Sequence, residues 1–170
     1  LDGLLSARNQ SLFGIVNGVD YALYDPSNDA KIYRNYTERD HKEGKAANKA
    51  ELQKQLGLEV NPNKYMIGLI SRLTDQKGLD LVRYAMDKII DDNTQVVVIG
   101  TGDPAYEEMF RYYAWCNSDK VSANILYSYD LSHKLYAAAD SFLMPSLFEP
   151  CGLTQIIAFH YGTIPIVRET

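Results

Sequence analysis

The sequence predicts an α/β fold, a doubly wound parallel sheet of Rossmann-like type, and three observations point to it. From residue 64 onward, short apolar runs alternate with helical patterns in five βα repeats. The runs Val96–Ile99, Phe142–Met144 and Ile164–Val167 are continuously apolar, as suits strands covered by helices on both faces. Third, Ser71–Gly78 joins an apolar run to a helical pattern through a short loop with two cations and a glycine. In an open α/β sheet such a loop lies at the carboxyl end of a strand, where ligands bind, and the helix start adds free N–H groups.

Taken in order, residues 13–20 (Phe-Gly-Ile-Val-Asn-Gly-Val-Asp) predict a short entry strand that breaks at Asn17-Gly18. Residues 21–42 are polar and irregular, with Tyr-Asp-Pro-Ser-Asn-Asp as turn chemistry. Residues 43–56 predict an exposed amphipathic helix stopped by Gly57. These elements form a first section, residues 1–60. Residues 61–170 then read as the Rossmann-like domain, with strands over 64–70, 95–99, 121–127, 141–144 and 163–167. The helices between them are predicted over 78–91, 104–116, 131–139 and 152–161. The chain opens at Leu1 without a methionine and stops just past an apolar run, so it reads as a fragment truncated at its C-terminus.

Composition narrows the function classes. A chain of 170 residues with 46% hydrophobic and 23% charged residues has the make-up of an ordinary soluble domain. Its net charge of −5 argues against nucleic acid as the main partner, because no surplus of cations is present to neutralise a phosphate backbone. No apolar run approaches the ~20 residues needed to cross a bilayer, and no basic-then-apolar leader opens the chain. Cys116 and Cys151 form neither a metal motif nor a disulfide framework, which fits the cytoplasm.

Four loops follow strands and are expected to open on one sheet edge. The first offers Arg72 and Lys77 to an anion, against the plainer reading of two solvated surface charges. The second, Gly100-Thr-Gly-Asp-Pro-Ala105, matches the loose dinucleotide fingerprint G-x-G-x-x-A. It follows a complete βα unit rather than opening the fold, and Pro104 removes an N–H from the turn. Gly100, Gly102 and Asp103 therefore fit close approach to a sugar or phosphate equally well. In the third, Tyr127 could stack on a base or simply pack with its hydroxyl wet. The fourth places Glu149 before Pro150, with Cys151, Gly152, Leu153 and Thr154 presenting N–H groups at a helix start. Glu149 there suits sugar hydroxyls or positive charge developing on carbon, against the plainer role of a helix-cap acid. A nucleophilic Cys151 and a functional His133 at the edge of the third loop are weaker readings.

Together these strings resemble the starch and glycogen synthase family of glycosyltransferases, the bacterial type that uses ADP-glucose. The strings are Gly14-Ile-Val-Asn-Gly-Val-Asp20, Ser71-Arg-Leu-Thr-Asp-Gln-Lys-Gly-Leu-Asp80, Gly100-Thr-Gly-Asp-Pro104 and Ala138-Ala-Asp-Ser-Phe-Leu-Met-Pro-Ser146. Phe148-Glu-Pro-Cys-Gly-Leu-Thr-Gln155 and Tyr161-Gly-Thr-Ile-Pro-Ile-Val-Arg168 complete the series in family order. The resemblance implies a GT-B arrangement of two facing Rossmann-like domains, this chain covering much of the C-terminal, donor-binding one. It implies transfer of glucose from ADP-glucose to the non-reducing end of an α-1,4-glucan, with retention and without metal or cofactor. On that pattern Arg72 and Lys77 hold the donor diphosphate and Glu149 stands against the transferred glucose. Gly152 to Thr154 would contact sugar hydroxyls and distal phosphate, and Tyr127 would pack near adenine. Related retaining transferases carry a second glutamate eight residues after the first, where this chain has Ile157. The family's Lys-x-Gly-Gly loop and acceptor residues belong to an N-terminal domain, so this chain alone is expected to be inactive. The competing readings are a dehydrogenase NAD domain, resting on Gly100–Ala105, and a nucleotide- or glycan-binding module without chemistry.

Overall fold

The structure, a computed structural model, describes residues 1–170. Its centre is a five-stranded sheet built from β1 (Tyr65–Ile70), β2 (Thr94–Ile99), β3 (Val121–Asn124), β4 (Ser141–Met144) and β5 (Ile164–Val167). The strands lie in the order β3-β2-β1-β4-β5 and every pairing is parallel. The strand order reverses between β1 and β4, so the loops after these two strands face each other across the switch point.

The helices are α1 (Asp2–Ala7), α2 (His41–Leu56), α3 (Leu79–Ile89), α4 (Pro104–Cys116), α5 (Tyr129–Ala138) and α6 (Leu153–His160). Side chains along β2 divide between two cores. Val97 and Ile99 join Leu135, Ala158 and Leu52 on one face, while Val96 and Val98 join Leu79, Met86 and Phe110 on the other. Burial on both faces is why β2 carries no polar alternation. The equally apolar β5 departs from the expected two-sided cover, since it lies at the sheet edge with Ile164, Ile166 and Val167 exposed.

Three further expectations need correction. The entry strand over residues 13–20 does not form: the segment is irregular, with Phe13, Ile15 and Val16 exposed. No strand of the sheet lies beside it to pair its backbone, and an unpaired extended segment gains nothing from its β propensity. The run 121–127 ends as a strand at Asn124. There the side chain of Asn124 donates to the Val98 carbonyl and Leu126 N–H turns back on Asn124 O. Helix α5 therefore starts earlier than expected, with the Ser128 hydroxyl accepting from Leu131 N–H as its cap.

The third correction concerns α2, which is not an exposed helix. One face, with Asn48, Lys49, Leu52 and Gln53, is buried against the sheet domain. Most of that face is polar, and each polar group has a specific partner. Asn48 accepts from Tyr33 N–H at 2.9 Å and donates to Arg34 O at 2.7 Å. Gln53 donates to Gln95 Oε1 at 2.8 Å, and Lys49 Nζ meets Asp140 Oδ2 at 2.5 Å. Burying such groups without these bonds would be strongly unfavourable, so the partners decide the orientation. No helix of the molecule is long and apolar enough to cross a membrane.

Candidate functional site

The two loops at the switch point are locked together by backbone. After β1 the chain turns through a 3-10 segment, Asp75–Lys77, that ends at Gly78 with φ +66. A Cβ at Gly78 would stand 2.0 Å from the Pro145 carbonyl oxygen, so only glycine lets the post-β4 loop lie this close. Leu147 N–H donates to Gln76 O at 2.9 Å, and Tyr106 O–H from α4 donates to Asp75 at 2.6 Å. The result is a fixed platform for two charges. Lys77 Nζ lies 2.6 Å from Glu149 Oε2, and the same oxygen accepts from Ser146 Oγ at 3.2 Å. Both charged side chains are largely shielded, so little water screens the pair. The pair joins residues 72 positions apart in the chain.

Two adjoining cavities open beside this platform. One of about 190 Å³ is lined by Ser71, Arg72, Lys77, Pro145, Ser146 and Thr154. The other, about 220 Å³, is lined by Ser71, Arg72, Gly100, Thr101, Tyr127, Ser128 and Thr154. Ile70, Ser71, Arg72 and Thr154 belong to both walls. Thr154 reaches them from the first turn of α6, which follows Gly152 in the left-handed conformation. Tyr127 is 89% exposed at the mouth of the second cavity, free to present a ring face.

The structure thus brings Arg72, Lys77, Glu149, Gly100, Tyr127 and Thr154 to one sheet edge. Gly102, Asp103, Cys151 and Leu153 line neither cavity, and each has another engagement or an open setting. The Asp103 carboxylate caps α4 by accepting from Ala105 N–H at 2.9 Å. Gly102 N–H donates to Glu107, and Asp103 N–H to Leu73 O. A Cβ at Gly100 or Gly102 would fall 1.9 Å from Ser71 O or 2.3 Å from Leu73 O. The glycines therefore serve the packing of one loop on the next, and two amides that a dinucleotide pyrophosphate would use are already taken. The dehydrogenase reading has no support here. Cys151 Sγ points to Asn17 O at 3.7 Å, and Leu153 is on the surface.

His133 lies wholly inside the protein, away from both cavities. Its Nδ1 is 2.6 Å from Asp29 Oδ2, which also accepts from Tyr161 O–H at 2.6 Å. Burial pushes the Asp29 carboxyl up, but the hydrogen bonds from Tyr161, the Lys31 amide and His133 outweigh it and hold it below the usual value. The structure adds Ser146, Ser71 and Ser128 to the site, residues to which the sequence assigned no role of their own. For Ser146 the signals in the sequence are its place three residues before Glu149 and at the end of the Ala138–Ser146 string.

The Glycosyl transferases group 1 family matches residues 48–170. The chain belongs to that family. As a group 1 glycosyl transferase it is similar along its whole length to the glycogen synthase of Lachnospira eligens, with 59% identity over 170 residues covering 36% of that protein. It is 51% identical to the glycogen synthase of Clostridium acetobutylicum, again over its full length and 35% of the relative. The chain thus spans about a third of the length of the curated relatives it matches. Among solved structures, the catalytic domain of starch synthase IV from Arabidopsis thaliana, bound to ADP and acarbose, superposes with a TM-score of 0.91 at 37% identity. That match covers 99% of this chain and 35% of the other. The Anabaena protein HepE, in complex with UDP and glucose, shares the fold at a TM-score of 0.60 and 20% identity, over 89% of this chain and 36% of its own.

Proposed function

We propose that this chain is the donor-binding half of an ADP-glucose-dependent glycogen or starch synthase of GT-B form. The observation that carries the reading is the Lys77–Glu149 pair at the switch point, beside the two adjoining cavities that Arg72 lines. Their combined shape suits an elongated ligand with a base at one end, a sugar at the other and negative charge between. The likeness to glycogen synthases along the full chain, and to a starch synthase solved with ADP, supports glucose and adenine as the two ends.

In this reading the adenosine lies in the cavity edged by Gly100 and Tyr127, and the diphosphate crosses Arg72 and Thr154. The glucose sits beside Lys77, Ser146 and Glu149. When the bond from the anomeric carbon to the phosphate oxygen breaks, its electron pair leaves with ADP. Arg72 and Lys77 stabilise that growing negative charge without having to reorganise, which is electrostatic preorganisation. Glu149, held in place by Lys77 and Ser146, orients the glucose through its hydroxyls. The acceptor hydroxyl of an α-1,4-glucan attacks from the face that ADP leaves, and its proton goes to the departing phosphate. The acceptor is held by the N-terminal domain of the same enzyme, so the active site lies between the two halves. Cys151 and Gly152–Leu153 shape the start of α6 that presents Thr154.

The test is the full-length protein assayed with glycogen and either ADP-glucose or UDP-glucose. Glucose incorporation from ADP-glucose at least tenfold faster than from UDP-glucose is the expected result. Absence of transfer from both overturns the proposal, and a preference for UDP-glucose overturns its adenine part.

A further inference from the structure

The Ser71 hydroxyl is buried and has no hydrogen-bond partner, although the residue lines both cavities of the site. Buried polar atoms are almost always paired, because an unpaired one has lost its water and gained nothing. The Ser71 main chain is held on both sides. Ser71 N–H donates to Ile99 O at 3.2 Å, and the Ser71 carbonyl packs over Gly100, where a Cβ would come within 1.9 Å. The main chain of Ser71 is therefore fixed, and its side chain is the one free degree of motion.

Its place is informative. Only Ile70, Ser71, Arg72 and Thr154 are common to the two cavities. Any ligand that extends from Tyr127 to Lys77 must cross that wall. We propose that Ser71 is a binding residue for the diphosphate of the nucleotide-sugar donor, an inference that rests on the function proposed above. The hydroxyl is buried and makes no hydrogen bond to any other group of the protein. When the donor binds, one rotation about χ1 between staggered wells turns it into the shared wall. There it donates to a phosphate oxygen next to the Arg72 guanidinium. A donor to a charged oxygen makes a stronger hydrogen bond than one to a neutral acceptor, and pairing removes the penalty of the buried hydroxyl.

This device has a signature that an ordinary structural serine lacks. In the full-length protein, Ser71→Ala is expected to weaken ADP binding by about tenfold in calorimetry, the scale of one hydrogen bond to a charged group. Adenosine, which has no phosphate, should bind wild type and variant alike within twofold. The melting temperature of the unliganded variant should equal or exceed that of wild type, because the substitution deletes an unsatisfied hydroxyl. ADP affinity within twofold of wild type overturns the proposal, as does equal weakening of ADP and adenosine or a lowered melting temperature. If wild type itself binds adenosine but gains nothing from the diphosphate of ADP, the reading of the site fails, and this inference with it.

Discussion

Single residues divide into those that the sequence marked and those that geometry revealed. Arg72, Lys77 and Glu149 stood out because charges beside glycine and proline between a strand end and a helix start suit an anion or a sugar as well as their plainer surface and capping roles. The structure adds that Lys77 and Glu149 are partners at 2.6 Å, with Ser146 as a third member. In the full-length enzyme Lys77→Ala should lower kcat about 10²-fold or more, through loss of one charge at the leaving group and an unpaired Glu149. Ser146→Ala should cost less, about threefold to tenfold, since it removes one neutral donor to Glu149. Steady-state kinetics with saturating glycogen measures both, and a Lys77→Ala rate within threefold of wild type would remove this loop from the mechanism. Asp103 shows the reverse case. A carboxylate beside two glycines read as substrate-binding, while its geometry is that of a helix cap.

Elements were legible where burial is apolar and obscure where it is polar. Strands β1, β2 and β4, and helix α4 with Pro104 in its first turn, sit where the pattern put them because apolar surface decides their packing. Helix α2 escaped the same logic, since its inner face is held by amides and ammonium groups rather than by leucines. Lys45 belongs to that face. Its Nζ donates to Thr163 Oγ1 at 2.7 Å and to Ala137 O and Tyr161 O at 3.2 and 3.3 Å, tying α2 to the C-terminal ends of α5 and α6. Burial pushes the ammonium down to about 7, opposed by the Asp140 carboxylate and aided by the like charge of Lys49. Between pH 7 and the unfolded-state value near 10.5, the unfolded chain binds a proton at Lys45 that the folded chain does not. Stability contributed by this site therefore rises with pH across that window and is flat below it. Lys45→Met should shift the melting temperature downward overall and flatten its rise between pH 7 and 9. Parallel pH profiles for variant and wild type would contradict the assignment.

At the scale of the molecule, the strand order creates the site. Placing β4 beside β1 brings loops more than seventy residues apart into backbone contact, and the cavities exist only because of that neighbourhood. The chain covers about a third of the relatives it matches, and the proposed acceptor side lies in the remainder. The 170-residue chain purified alone should bind ADP yet transfer no glucose from ADP-glucose to glycogen, whereas the full-length protein should do both. Measurable transfer by the isolated chain would show that the acceptor site is built here.

The sequence by itself determined the fold class, most of the elements and the identity of the charged loops. Those features rest on local patterns: apolar runs, turn chemistry, and glycine where backbones meet. Only the tertiary structure decided which loops face each other, that Lys77 pairs with Glu149, that the Gly100 and Gly102 positions serve loop packing, and that residues 13–20 make no strand. These are properties of partners distant in sequence, and a residue's own neighbours carry no record of what stands opposite it in space.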